Sequence, residues 1–582
     1  MYLRLWNKLS GRRKIQLSLL LLLSVMSAFA EVLSLGATIP FLAILVSPKK
    51  VLSYIDSNKI LSQINILNTE HLMMSITIIF LLCIISAGFL RLFSLWAGAR
   101  MAHILGSEFS SAVYTRILYQ PYEMHVQWNT ADLMAGINAK SNALVICINL
   151  FITMCTSIIL LLTVICTLMF VDPLITMIAT FGFGSVYTIV ILLTRRRLVR
   201  NGQIMAHQHS SIARYLSESL GGIRDVILDG TQEVYFRKHK LADFEFRGAE
   251  RSNAFLGQSP RYLVEIFGMI AIVLLAYYLA FYSNDGLGAI PMLGVFVLGA
   301  QRLLPSLQQI FGSWAGIQAN KIYFYDALSF LDLPLPLPKN TSPLFEINFK
   351  KSIALVDVSY KYTPELNYVL RDINLIINKG SRVGIVGKTG GGKSTLLDIV
   401  MGLLAPTNGS LLVDDHIIND DNRRAWQDQF AHVPQNIFLS DNSIAENIAL
   451  GVRFEEIDLQ KVMVAAAQAQ LSKTIEGWPD GYKTRVGERG IRLSGGQRQR
   501  IGLARALYRG KGVIILDEAT SALDTHTESE VIKAIDMLDE KNVTIIMIAH
   551  RLTTLKSCSS IVEIEDGLIK KVGSYEDMVG KE

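Results

Sequence analysis

Leu493-Ser494-Gly495-Gly496-Gln497, followed at once by Arg498-Gln499-Arg500, decides how the rest of this chain is read. The stretch lies between a glycine-rich loop at Gly387–Thr395 and an Asp517-Glu518 pair that ends an apolar run. On its own it is a helix start, with Ser494 as a good capping residue. Between those landmarks it acquires a second use. Gly495 and Gly496 let backbone N–H groups approach a phosphate at a helix N-terminus, where the dipole favours negative charge, and Ser494 adds a hydroxyl. A chain whose own phosphate loop is filled needs this surface only for a nucleotide held by a second copy.

The composition divides the chain in two. Its 582 residues are too many for a single core. Hydrophobic residues make up 51% and charged residues only 18%, and the mean hydropathy of +0.35 is high for a soluble protein. The apolar runs are concentrated before about residue 320. The net charge of +6 is modest, and its densest cluster, Arg195-Arg196-Arg197-Leu198-Val199-Arg200, directly follows an apolar run. That placement fits the positive-inside rule better than a nucleic-acid surface, so no nucleic-acid partner is expected. Four of five cysteines (Cys83, Cys147, Cys155, Cys166) sit in apolar runs and Cys558 lies in the polar half. Their spacing suggests neither a metal site nor a disulfide framework.

The first 46 residues imitate a secretory signal, but apolar character continues through Val32–Val46, broken only by Glu31. Ile15–Val46 therefore reads as one uncleaved helix, roughly 48 Å long at about 1.5 Å per residue, against a ~30 Å hydrocarbon core. Five further spans are expected near 73–98, 143–170, 174–194, 262–282 and 287–316. The segments 99–142 and 195–261 are long, helical in pattern and rich in arginine, so they and both termini should face the cytoplasm. Segment 47–72 is the one outer connection with content, either a short amphipathic helix or an ordinary loop. Leu331–Lys339 is a proline-interrupted linker. The expected division is a membrane domain at 1–330, a linker at 331–345 and a soluble domain at 346–582, in which β-like runs alternate with helical ones.

Gly387-Lys388-Thr389-Gly390-Gly391-Gly392-Lys393-Ser394-Thr395 fits the phosphate-loop pattern between a strand and a helix. Its glycines let backbone N–H groups wrap phosphates, Lys393 supplies a point charge, and Ser394 supplies a Mg²⁺ ligand. Val513–Leu516 is a buried strand delivering Asp517, which can hold Mg²⁺ through water, and Glu518, which can polarise an attacking water. Gln435 sits where a side chain can sense a γ-phosphate and join the metal's ligands. Asp524 follows the base, His550 follows the strand Thr544–Ala549, and Tyr362, ahead of the phosphate loop, can stack on adenine. Each of these singly has an ordinary structural explanation; their joint order and spacing does not.

Together these residues resemble an ATP-binding cassette (ABC) domain, and six spans ahead of it resemble the exporter type of half-transporter. The resemblance covers essentially the whole chain and implies an α-helical transmembrane domain fused to an α/β P-loop cassette. It implies ATP and Mg²⁺ as cofactors and a homodimer in a bacterial inner membrane, with the cassette in the cytoplasm. Two ATP molecules would each lie between Gly387–Thr395 of one copy and Ser494, Gly495, Gly496 and Gln497 of the other, with Glu518, His550 and Gln435 catalytic. Segments near Tyr122–Asp132 and Ser217–Tyr235 would carry the motion to the spans. Thr484–Gly490 resembles the exporter segment that touches the cytoplasmic loops, with Arg485 where an acid is frequent. Gly391 replaces a common serine, a change expected to be silent.

Charges inside spans are costly and mark candidate substrate contacts. They are Glu31, Arg91, Glu265 and Arg302, with Arg261 at the start of the fifth span. Arg91, Arg261 and Arg302 could together meet a pyrophosphate headgroup through their guanidinium forks, or the charges could pair as Glu–Arg. Ala30–Leu42, Pro260–Glu265 and Ala431–Ser443 resemble the PglK-like branch, the lipid-linked oligosaccharide flippases. That resemblance implies a lipid-linked glycan as substrate and membrane lipids as partners; related branches export other glycolipids, lipids, peptides and drugs. A DNA- or translation-linked ATPase tethered to a membrane fits poorly, because six spans are present without a basic groove.

Overall fold

The computed structural model describes residues 2–46, 69–171, 173–282, 289–335, 347–518, 528–529, 543–549 and 552–579. The chain divides into two compact units: Met1–Gln120 with Trp128–Pro336, and Leu337–Glu582 with Pro121–Gln127. The second unit therefore takes in a short piece of the chain from well inside the expected membrane half.

The first unit is helical. A short helix α1 (Tyr2–Lys8) precedes α2 (Gly11–Val46), α3 (Thr69–Leu118), and, after α4 (Tyr122–Gln127), α5 (Thr130–Val171), α6 (Pro173–Gly221), α7 (Ile223–Leu228), α8 (Gln232–Tyr282) and α9 (Ala289–Asp332). Six of these helices run 36 to 51 residues, longer than a bilayer requires. Among the described residues four contain stretches long and apolar enough to cross a membrane: Gly11–Leu45, Met73–Leu118, Lys140–Phe170 and Thr176–Gly221. The expected fifth and sixth spans fall on α8 and α9, where many side chains lie outside the described residues. Most of segment 47–72, the Ser283–Gly286 turn and most of the linker also lie outside them.

The expected cytoplasmic segments are continuations of the membrane helices. The helix α3 runs on to Leu118 and α6 to Gly221, and the short α4 and α7 sit at the two reversals, inside the segments expected to transmit motion. Side chains such as Leu82, Ile85 and Phe89 are more than half exposed, as expected of the lipid-facing surface of helices hydrophobic on all sides. Inward, Leu105, Leu144, Cys147 and Phe324 form one closed cluster.

The second unit is α/β. One sheet is antiparallel, in order β2 (Leu370–Asn378), β1 (Ser352–Tyr360), β4 (Asn408–Val413), β5 (His416–Ile417). The other has the order β10 (Leu568–Gly573), β9 (Ser560–Glu565), β3 (Arg382–Gly387), β8 (Thr544–Ile548), β7 (Val513–Asp517), β6 (Phe430–Val433). Strands β9, β3, β8, β7 and β6 are parallel, and two of the inner strands read as unbroken apolar runs, Val513–Leu516 in β7 and Ile545–Ile548 in β8, because both faces are covered. The helix α10 (Lys393–Val400) follows β3; α11 (Arg423–Gln427), α12 (Ile444–Ile448), α13 (Leu459–Gln468), α14 (Ser472–Glu476) and α15 (Gly495–Arg509) follow in order. Trp426 is fully buried, and its Nε1 donates to Val400 O at 2.9 Å, closing the end of α10.

Candidate active site

The parallel register fixes the site. Ile385 pairs with Ile548, and Asp517 pairs with the same Ile548 from the other side, while Val433 pairs with Leu516. Three strands thus end at one level, and the residues that follow emerge together at the carboxyl edge of the sheet: Gly387, Asp517-Glu518 and Gln435. Ligands of open parallel sheets bind at that edge. His550 and Asp524, expected at the site from sequence, lie outside the described residues.

The phosphate loop leaves β3 with Gly387 at φ +149, where an added β-carbon would lie 2.1 Å from Ile564 O. Only glycine fits that approach. A β-carbon at Gly391 would be 3.1 Å from Lys388 O and 3.3 Å from Ile564 O, so a serine there requires the loop to yield by a few tenths of an ångström. Lys393 is buried, and its Nζ donates to Gly387 O at 2.8 Å and Lys388 O at 2.9 Å, holding the loop around its own ammonium. Thr389, Gly390 and Ser394 are exposed, whereas Thr395 is buried. Gly392 caps α10 without a side-chain acceptor. The first-turn N–H groups of α10 therefore face outward for an anion, and a nucleotide phosphate fits. Lys388 Nζ reaches Glu565 Oε1 at 2.7 Å instead of turning into the loop. Tyr362 lies against Tyr360 edge to face, its hydroxyl 3.1 Å from Thr395 Oγ1, which ties the aromatic expected beside adenine to the phosphate-loop helix.

Across the site Gln435 Nε2 donates to Glu518 Oε2 at 2.5 Å. Glu518 holds a left-handed backbone, φ +50, costly for a non-glycine residue and found where a side chain must be aimed. Burial, followed by the neighbouring Glu518 carboxylate, raises the pKa of Asp517, against the pull of Lys393. Two adjacent carboxylates in a half-buried site, with an exposed serine hydroxyl on the facing loop, form the all-oxygen donor set that suits Mg²⁺. Ser394, Gln435 and Asp517 would hold that ion, which would neutralise phosphate charge when bound.

The other half-site belongs to a different hydrophobic cluster. The phosphate-loop helix packs through Leu396, Leu397 and Ile399, whereas Leu493 and α15 pack with Ile444, Val462 and Val486. Ser494 is exposed and caps α15 in a reciprocal box: its Oγ accepts from Gln497 N at 3.2 Å, and Gln497 Oε1 accepts from Ser494 N at 2.8 Å. Gly495, Gly496 and Gln497 follow in the first turn, partly exposed.

Several long-range contacts were invisible in the sequence. Arg505 on α15 donates to Asn447 O at 2.9 Å and Phe438 O at 3.0 Å, fastening that helix to the segment after Gln435. Burial lowers its pKa to about 10, with Arg509 adding to the shift. Gln499 Nε2 lies 3.5 Å from Glu518 O. Glu123 of α4 accepts from Ala405 N at 2.7 Å, and the Tyr122 phenol has a pKa raised by burial and then by Asp398 of α10. The charge pattern of α4 could have suggested an anchor, but nothing in it pointed to Ala405. Arg485 sits in a bridge with Ser443, and Ile444 N donates to Thr484 O at 3.1 Å.

In the helical unit the candidate charges separate. Glu31 is almost fully buried, with Arg91 Nη1 3.6 Å from its Oε1. Both line a cavity of about 430 Å³ with Ser27, Ser94, Thr156 and Gln309. Arg261 instead pairs with Glu265 one turn along α8, Nε to Oε1 at 2.9 Å, and it does not line that cavity. The side chain of Arg302 lies outside the described residues. Two of the three arginines are thus in Glu–Arg pairs, the second of the two arrangements open from sequence.

With this geometry in hand, comparison with known proteins identifies the cassette. A family model described as "ABC transporter" matches residues 370–521. The chain is 28% identical over 480 residues to an ATP-dependent lipid A-core flippase of Cupriavidus pinatubonensis, covering 80% of this chain and 79% of that protein. It is 29% identical over 392 residues to YgaD of Bacillus subtilis, provisionally named a multidrug export ATP-binding/permease protein, covering 67% of this chain and 65% of that one. A solved bacterial Atm1-family ABC exporter with ATP bound superposes with a TM-score of 0.78 at 20% identity, over 98% of this chain and 96% of the other. That last likeness establishes the fold. The chain therefore carries an ABC transporter cassette, and its whole fold is that of an ABC exporter, a helical transmembrane domain fused to an α/β cassette.

Proposed function

We propose that the chain works as a homodimer that moves a polyprenyl-pyrophosphate-linked oligosaccharide across the inner membrane, driven by ATP at two composite sites. Each site joins Gly387–Thr395 of one copy to Ser494–Gln497 of the other. The phosphate-loop N–H groups and Lys393 bind the phosphates, Gln435 positions Glu518, and Glu518 takes a proton from the attacking water. His550 and Asp524 complete the site by their position in the chain, and Tyr362 supports the adenine. Closure of the cassettes would pass through α4 and α7 into the long helices.

The observation that carries the substrate reading is the polar cavity in the helical unit, where half-exposed Arg91 stands beside buried Glu31 among serine and threonine hydroxyls. A guanidinium suits a pyrophosphate, and hydroxyl and amide groups suit a headgroup rich in hydroxyls. The lipid A-core flippase among the relatives supports an amphiphile of this kind. Similarity to YgaD favours a second reading, export of a drug-like or other lipidic compound.

The test is to neutralise Arg91, Arg261 and Arg302 one at a time in proteoliposomes, measuring lipid-linked oligosaccharide transport and basal ATPase together. Transport falling well below ATPase supports the reading. Equal loss of both assigns these arginines to folding, and stimulation of ATPase by drugs but not by lipid-linked sugars favours the second reading.

A further inference from the structure

A second cavity, apart from the polar one, lies where the chain enters the membrane. It has a volume of about 340 Å³ and is walled by Trp6 and Leu9 of the N-terminal segment, Leu17 and Leu21 of α2, and Phe151 and Cys155 of α5. Among the described residues no charged side chain lines it. Trp6 and Leu21 are more than two-fifths exposed, so the slot opens on the lipid-facing side.

Its depth follows from the sequence. Leu17 comes three residues after Lys14, where the apolar run begins, and Phe151 lies about a third of the way into the Lys140–Phe170 stretch. The slot therefore reaches from the cytoplasmic end of α2 into the first half of the α5 span. The rim is cationic. Lys14 Nζ stands 5.8 Å from the centre of the Trp6 ring, one wall of the slot. Arg13 is engaged by Glu108, which Arg12 also influences, and Lys8 by Asp332 at 2.7 Å, which leaves Lys14 to meet an anion.

We propose that this slot holds one acyl chain of an anionic phospholipid of the cytoplasmic leaflet, its phosphate met by Lys14. An apolar slot with a cationic rim at headgroup level matches both parts of such a lipid. The transported lipid is a poorer occupant, because the slot carries none of the hydroxyl and amide groups of the polar cavity. The bound lipid would fasten α1 to α2 and α5.

The test uses the delipidated full chain titrated with brominated phosphatidylglycerol or brominated phosphatidylcholine of the same chains, reading tryptophan quenching against Trp6→Phe. The expected result is a saturable component, tighter for phosphatidylglycerol, that vanishes in Trp6→Phe. Cys155→Phe, which fills the floor, should weaken it by about tenfold, the equivalent of burying about two fewer methylenes. Lys14→Glu should abolish the preference between the two lipids. Leu17→Phe, on another wall, replaces Cys155→Phe if that variant does not fold. Non-saturable quenching equal for both lipids, or quenching untouched by the filling variants, overturns the proposal. Saturation by a brominated polyprenyl phosphate in place of phosphatidylglycerol also overturns it, assigning the slot to cargo.

Discussion

Ser494→Ala separates the two tasks assigned to that serine. Within one chain its hydroxyl accepts from Gln497 N at 3.2 Å, at the long end of an N–H···O bond, so its removal should cost about 1 kcal/mol or somewhat less. For a domain of this size that lowers Tm by roughly 2–4 °C. Ser443 is a control cap: it closes α12 with the same reciprocal box, Ser443 Oγ accepting from Glu446 N at 3.3 Å and Glu446 Oε2 from Ser443 N at 3.0 Å. Ser443 is buried and its Oγ also donates to Glu446 Oε2 at 2.6 Å, so Ser443→Ala should lose at least as much Tm. If Ser494 also contacts the nucleotide of a second copy, a hydrogen bond to a charged group, worth about 1.5–3 kcal/mol, is lost at each of two sites. ATP-driven closure then weakens by about a hundredfold or more. The assay is ATPase per folded protein at saturating ATP, beside thermal unfolding of both variants. Equal ATPase in Ser494→Ala and Ser443→Ala would refute the composite site and leave Ser494 a helix cap alone.

Three further outcomes follow from the same geometry. Glu518→Gln should retain ATP binding by equilibrium dialysis while turnover falls by about 10²–10⁴, the usual worth of a general base. Arg91→Gln leaves the Glu31 carboxylate buried without its guanidinium and should lower Tm, through a destabilisation of up to about 3–5 kcal/mol for a fully buried pair and less here because Arg91 is half exposed. The double variant Glu31→Gln/Arg91→Gln should recover most of that loss. Asp398 has its pKa raised to about 6 by burial and then by Asp517, above the roughly 3.9 of an unfolded chain. Its protonated form is favoured by folding, so stability is greatest below pH 4 and is lost as the pH rises through 6. Asp398→Asn should therefore raise Tm at pH 8 in nucleotide-free, EDTA-treated protein, and the gain should vanish by about pH 4.

Sequence exposed the parts of the site that depend on local backbone chemistry. A glycine loop between strand and helix, an apolar run ending in two carboxylates, and a small-residue helix start are each written in contiguous residues. The structure brings Gly387, Gln435 and Glu518 to one sheet edge, because parallel register carries positions distant in sequence to a common level. Long-range contacts were not legible. Glu123 reaches Ala405 across 282 positions, and Arg505 reaches backbone carbonyls that any residue could offer. Strands β2, β5, β6, β9 and β10 were not expected from sequence: charge interrupts β2, β9 and β10, as at Asp372, Glu563 and Lys570-Lys571, and β5 and β6 are only two and four residues long. The membrane charges misled through proximity in composition alone: Arg261 has its own carboxylate one turn away, a pairing an i,i+4 reading shows but does not force.

The most direct measurement is ATP-dependent transport of lipid-linked oligosaccharides by the purified chain in proteoliposomes, with Glu518→Gln alongside. The account predicts movement by the wild type that requires ATP and disappears in the variant. Transport by Glu518→Gln at the wild-type rate, or none by the wild type despite vigorous ATPase, would contradict it.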